Sequence, residues 1–307
     1  MELRHLRCFL AVAEELHFAR AAERLHIDQS PLSRTIKELE EDLGAPLFAR
    51  TTRSTRLTQA GKLFLEHVPR VFAALDQARA SVRAAAAGYE GQLRIALSNA
   101  IAPACLSSLM VLCRKEDPEI AIYFDEVPLI EQIKGLHEDV YDVGFAQSAD
   151  VGDGIAAEPA WRDPLVVAIP AGHPLLAHAQ ISPEEVLRYP LVMGDPQACE
   201  GYTCQIERVL RALDMDRRVS KRVMSFDLMM AQVAAGFALA LVGASQIATI
   251  RDSNIIARPL AGVSPMLTTY LLRRATDPSE ALDRFVARVG RLKVHTSEFT
   301  RAIWACR

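Results

Sequence analysis

The chain has 307 residues, half of them hydrophobic and 24% charged, so it is neither a disordered chain nor one small module. Its net charge of −3 argues against wholesale polyanion binding, and six cysteines without a Cys-x-x-Cys pair exclude a disulfide scaffold and a zinc ribbon. Met1-Glu2-Leu3-Arg4-His5 has no signal-like apolar core, and the longest apolar run, Val233 to Ala244, is short of a membrane span, so a cytoplasmic protein with no membrane partner is expected.

Leu3, Leu6, Phe9, Leu10, Ala13 and Leu16 recur at helical spacing. A second short helix fits Ala19 to Leu25, and His26-Ile27-Asp28 interrupts it. Asp28 is an N-cap for a third helix, Pro31 fits its first turn, and Gly44 ends it. Leu32, Ile36, Leu39 and Leu43 form the apolar side of that helix. Gln29, Ser30, Ser33, Arg34 and Lys37 can donate to phosphates or base edges from its polar side, while Glu38, Glu40, Glu41 and Asp42 read as a solvated face. Two short helices, a tight break and a half-polar second member make a helix-turn-helix, although an ordinary amphipathic surface helix shares the local pattern.

Leu47 to Arg50 and Ser54 to Leu57 then read as a hairpin carrying Arg50, Arg53 and Arg56. From Leu43 to Leu65 there are four basic residues and no acidic one, so the charge near zero hides a local basic segment. Residues 1 to 90 carry 13 Lys/Arg against 12 Asp/Glu, and the rest 22 against 26. A basic hairpin beside a half-polar helix suits phosphate and minor-groove contact.

Thr58 caps a long predicted helix reaching Ala87. Phe64, Val68, Val71, Leu75, Ala78 and Val82 alternate steps of four and three along it, a heptad seam for pairing with another helix. Pro69 is expected to kink the helix near Leu65. Gly88-Tyr89-Glu90-Gly91 marks a boundary. Beyond it, strands at Leu93–Leu97, Ile120–Val127, Val143–Phe145, Leu165–Ile169, Leu191–Met193, Val219–Ser225, Leu239–Val242 and Leu267–Leu272 alternate with helices. The pattern predicts two α/β lobes with mainly parallel sheets.

The stretches from Ala21 to Ile36 (AAERLHIDQSPLSRTI), Leu39 to Gly44 (LEEDLG), Pro46 to Arg50 (PLFAR) and Leu57 to Gly61 (LTQAG) resemble the LysR-type transcriptional regulators. The resemblance is dense over the first 61 residues and weaker beyond. It implies an α-rich winged helix-turn-helix over residues 1–58, a linker and dimerisation helix over 59–88, and an effector domain over 91–295. That domain is of two α/β lobes, like a type 2 periplasmic binding protein. Lobe I is expected at about 91–161 and 267–295 and lobe II at about 162–266, leaving 296–307 as an unassigned tail. Also implied are promoter DNA, a small-molecule inducer between the lobes, contact with RNA polymerase, and a dimer or tetramer acting as an activator.

In this resemblance Gln29, Ser30, Ser33 and Arg34 face the major groove, Lys37, Arg50 and Arg56 hold phosphate, and Arg53 is the wing tip. Ala19 stands where relatives often carry a capping serine or threonine. The effector is expected to meet Ser98, Asn99, Ala100 and Leu129 in one lobe, and Gly201, Tyr202, Ser225 and Phe226 in the other. Ala100 and Leu129 replace hydroxyls, and Glu200 is near, so this site is less suited to an acidic inducer than its relatives' sites. A redox switch at Cys199 and Cys204 is the alternative sensor. No cofactor or metal is implied, and no catalytic motif such as Gly-x-Ser-x-Gly or His-Glu-x-x-His is present to support the rival reading of an enzyme on the effector domain.

Overall fold

The computed structural model describes the chain except residues 51–54, 99–100, 212–218, 263–264, 277–278 and 306–307, and the side chains of 50, 219–220 and 293–305. The chain divides into two units, Met1–Arg79 and Ala80–Arg307.

The first unit holds α1 (Leu3–Glu15), α2 (Phe18–Leu25), α3 (Gln29–Leu43), β1 (Phe48–Arg50), β2 (Thr55–Leu57) and most of α4 (Gln59–Ala86). Its core joins Phe9 and Val12 of α1, Ala21 and Ala22 of α2, and Leu32, Ile36 and Leu39 of α3, all buried. The Phe9 ring sits 5.5 Å from Phe48 and 4.9 Å from Phe64, which ties hairpin and α4 to the helices. Left-handed residues end all three short helices: Leu16, His26 and Gly44. The second helix begins one residue earlier than expected, with His17 as its cap: the His17 ring accepts from the Arg20 amide at 3.4 Å. Ala19 is therefore inside the helix and leaves no cap missing.

Thr58 caps α4 as expected, accepting from the Gly61 amide at 2.9 Å, and its hydroxyl also donates to Pro46 O at 2.6 Å. Gly61 is glycine because any Cβ there would run into the Leu47 carbonyl. Two acids expected on a solvated face do structural work instead. Glu40 accepts from the Leu47 and Phe48 amides at 2.8 and 3.0 Å, pinning the hairpin to α3, and Asp42 pairs with the chain's amino terminus.

The second unit holds β3 (Gly91–Leu97), α5 (Pro103–Glu116), β4 (Ile120–Glu126), α6 (Leu129–His137), β5 (Val143–Ala146), β6 (Ile155–Pro170), α7 (Pro183–Val186), β7 (Leu191–Gly194), α8 (Glu200–Arg211), β8 (Val219–Val223), α9 (Phe226–Ala234), β9 (Ala240–Gly243), α10 (Ala244–Ile247), β10 (Ile255–Pro259), β11 (Met266–Arg274) and α11 (Glu280–Ala305). The expected mainly parallel sheets are mixed. Parallel pairs β3–β4, β3–β5 and β7–β8 coexist with antiparallel β5–β11, β11–β6, β6–β9 and β6–β10. One strand causes this. Residues 155–164 of β6 pair with β11 in lobe I, and residues 165–170 pair with β9 and β10 in lobe II.

The lobes thus join at Pro164/Leu165, near the expected division at 161/162. Each has its own core: Ile95, Leu109, Phe145 and Phe285 in lobe I, and Val167, Ile169, Leu191 and Leu241 in lobe II. The expected tail is not a separate segment, because α11 continues to Ala305.

Candidate DNA-contact face and interlobe site

On α3 the sequence's two sides separate cleanly. Leu32, Ile36 and Leu39 are fully buried, whereas Gln29, Ser30, Arg34 and Lys37 are exposed and Ser33 is half-buried. Burial of the leucine–isoleucine row fixes the helix's rotation about its axis, so the polar row must face outward. Arg34 has no acidic partner among the described residues, and Lys37 makes only a 3.5 Å exposed pair with Glu41. Such a pair is worth about 0.3–0.5 kcal/mol and yields readily to a phosphate. Arg56 is exposed on β2. Arg53, and the side chain of Arg50, lie outside the described residues.

The seam on α4 divides between two uses. Phe64 and Val68 belong to the first unit's own core, Val68 being 1% exposed, which corrects their assignment to an intermolecular seam. Val71 and Val82 remain 44% and 69% exposed, Ala78 is exposed and Leu75 half-buried. That row has no core of its own to enter.

Between the lobes the structure brings together Ser98, Leu129, Gly201 and Tyr202 around one small cavity. Asn99 and Ala100 lie outside the described residues. Two expected residues are elsewhere: the Ser225 hydroxyl caps α9 by accepting from the Leu228 amide at 3.3 Å, and Phe226 packs on the lobe II core. Tyr202 is also turned from its expected role, because its buried hydroxyl donates to Leu241 O inside lobe II. Burial there pushes the phenol well above its ordinary value.

Sequence reasoning missed Gln147, which lines the same cavity, and Gln205 beside it; Glu200, expected nearby, and Cys199, expected only as a redox residue, line it as well. Gln205 clasps the lobes: its amide nitrogen donates to Gln147 O at 2.6 Å and Thr268 O at 2.7 Å, and its oxygen accepts from the Thr268 amide at 2.8 Å. No motif marks an isolated glutamine. Gly201 had a readable signal, a glycine in the first turn of a helix, and its reason is close approach: a Cβ would lie 2.5 Å from Gln147 C and 2.9 Å from Ser148 N. The first turn of α8 therefore presses on the end of β5, and the cavity left is about 10 Å³, the space of one water at most. At this point the two lobes are in contact.

Gly201→Ala is accordingly expected to wedge the lobes apart and loosen the Gln205 clasp, each hydrogen bond being worth about 1 kcal/mol. Hydrogen exchange should show faster exchange at Thr268 and the first turn of α8; unchanged protection there would contradict the close approach.

Cys199 is buried and Cys204 exposed. Burial pushes the Cys199 thiol up, and the neighbouring Asp195 and Glu126 charges push the same way, which is the opposite of the thiolate a redox sensor needs. Cys199 precedes α8 and is buried, whereas Cys204 lies within the helix and is exposed. This geometry gives the redox alternative no support.

Among the described residues no cluster of His, Cys, Asp and Glu could hold a metal, and no helix is long and apolar enough to cross a membrane.

Two family models match the chain. Residues 3–62 match the bacterial regulatory helix-turn-helix of the lysR family, and residues 86–292 the LysR substrate binding domain. An HTH-type transcriptional regulator of Escherichia coli K12, YnfL, is 35% identical over 247 residues, covering 80% of this chain and 83% of its own. AlsR of Bacillus subtilis is 30% identical, covering 80% and 81%. The solved structure of full-length CbnR complexed with its target DNA superposes with a TM-score of 0.74 at 26% identity, covering 95% of this chain and all of that one. An outward polar row on a core-anchored helix and a two-lobed domain joined by a crossing strand agree with these matches, and the chain is a member of the LysR family of DNA-binding transcriptional regulators.

Proposed function

We propose that this regulator reads a promoter through Gln29, Ser30, Ser33 and Arg34 of α3 in the major groove, with Lys37, Arg50 and Arg56 on phosphates and Arg53 at the wing tip. Arg34 suits guanine O6/N7 and Gln29 suits adenine N6/N7 by donor and acceptor geometry. The observation that carries this reading is the outward polar row, with Arg34 exposed and without an acidic partner among the described residues, above a fully buried Leu32–Ile36–Leu39 face. Selecting bound duplexes from random sequence with the full chain tests it. Enrichment of one motif with two-fold symmetry is expected, and recovery of unrelated sequences would defeat it.

The protein acts as a homodimer, and as a tetramer of paired dimers, with RNA polymerase as a further partner at the promoter. Val71, Leu75, Ala78 and Val82 form the pairing row, because an uncovered apolar stripe of that spacing is what a second helix buries. Leu75→Asp is expected to reduce the mass seen in light scattering, and unchanged mass would remove this row from the interface.

A small-molecule inducer is taken up when the lobes part about Pro164/Leu165, and its binding shifts the balance between closed and parted lobes. The effect requires different affinity for the two states. Ser98, Leu129 and Gly201 from the closed cavity, with Asn99 and Ala100, are the residues proposed to meet it. Ser225 and Phe226 are not retained. The chain catalyses no turnover of that molecule and works in the cytoplasm.

A further inference from the structure

We propose a second small-molecule site, wholly within lobe II, that takes a carboxylate with an apolar body. A cavity of about 870 Å³ opens between α10, the loop after it, and β10. That volume lies in the usual small-molecule range of about 300–1,000 Å³, whereas the cavity at Gly201 holds at most a water. Val166, Ala244, Ile247, Ile250 and Ile256 give it apolar walls.

Two arginines and one acid line it, so its charge is positive on balance. Arg251 and Arg258 line the cavity, and neither has an acidic partner among the described residues. The lining acid, Asp252, is engaged in its own loop, where it accepts from the Asn254 amide at 2.9 Å. Arg258 reaches the Ala257 carbonyl at 3.2 Å with one terminal nitrogen, but its Nε is shielded from water without an acceptor. A shielded guanidinium donor left unmatched is costly, and a carboxylate at the cavity-lining guanidinium satisfies it with a charge-assisted bond once the Arg258 side chain turns Nε toward the anion. Apolar walls with two unmatched arginines select an amphipathic organic anion over a bare inorganic one.

The location ties this site to the lobe junction. Ala244 and Ile247 of α10 line the cavity, and between them Ser245 holds Asp163 of β6, one residue before the strand changes lobes. The Ser245 amide lies 3.1 and 3.2 Å from the two carboxylate oxygens, and its hydroxyl donates at 2.6 Å. An anion seated against α10 therefore bears on the segment at which the lobes join; its effect on lobe movement rests on the proposed function above. This is a second chemical input, separate from the interlobe site.

Calorimetric titration of the full-length chain with sodium octanoate, 1-octanol and octylamine tests the proposal. Saturable binding of one octanoate per chain is expected, with octanol and octylamine at least tenfold weaker. Arg258→Gln should weaken octanoate roughly 10- to 100-fold. Ala248 is exposed at the cavity wall, so Ala248→Phe intrudes on the space without burdening the core and should weaken binding at least tenfold. Absence of saturable octanoate binding, equal binding of octanol, or undiminished binding in both folded variants would overturn the assignment. DNA binding by the unliganded chain is read separately and bears on neither outcome.

Discussion

Replacing Arg288 with alanine is expected to destabilise the effector domain by about 3 kcal/mol, the lower end of the cost of breaking a buried ion pair. Arg288 is 4% exposed and joins α11 to the end of α5. Its Nε donates to Glu116 at 2.9 Å, and a terminal nitrogen pairs with Asp117. Arg284 and Arg291 remain as second partners, at 3.1 Å from Asp117 and 2.5 Å from Glu116, which keeps the cost from the upper end. Urea unfolding should show the loss as a lower midpoint with unchanged slope. A shift of less than about 1 kcal/mol would mean that the network contributes no more than a surface pair.

The same network sets an acid limit. Hydrogen bonds from Arg291 and Arg288 hold the Glu116 carboxyl down to about 2, from an ordinary 4.5. A depressed carboxyl stabilises the fold fully above its unfolded value, and the contribution fades as pH falls from 4.5 toward 2. Arg288→Ala should therefore flatten the acid side of the stability profile as well as lower it. An acid limb as steep as the parent's would assign that steepness to other carboxylates.

The second large effect concerns recognition. Arg34→Ala is expected to weaken binding to the selected duplex by about 1–3 kcal/mol, roughly 5- to 150-fold. Arg34 is exposed and has no described acidic partner, so its removal breaks nothing inside the protein. If it reads a base, specificity at one position relaxes and the salt dependence of binding stays near the parent's. If it holds only phosphate, affinity falls uniformly across sequences and the salt slope drops by about one. Fluorescence anisotropy at several salt concentrations distinguishes these, and unchanged affinity would remove Arg34 from the interface.

The N-terminal unit was legible because its determinants are local. Leu32, Ile36 and Leu39 recur at helical spacing, Gly44 stops the helix, and Thr58 starts the next; each signal acts within a few residues. Even there, Glu40 looked solvated because its partners, the Leu47 and Phe48 amides, come from the next element. In the effector unit the decisive strand was read only in part. Pro159 and Pro164 interrupt Ile155–Pro170, and proline normally argues against a strand interior. Here a register shift at Thr269/Tyr270 on the facing strand accompanies the first, and the change of lobe follows the second. Antiparallel pairing with β11 lies about a hundred residues away in sequence, and no local period reports it. The interlobe site was half legible for the same reason: Gly201 announces a close approach, but Gln147 and Gln205 gain meaning only when the lobes meet.

Photocrosslinking tests most directly whether α3 enters a DNA groove. A photoreactive side chain placed at Ser33 should crosslink to the selected duplex, while the same group at Glu23, exposed on α2, should crosslink far less. Equal yields from the two positions, or none from Ser33 while the duplex remains bound, would contradict the placement.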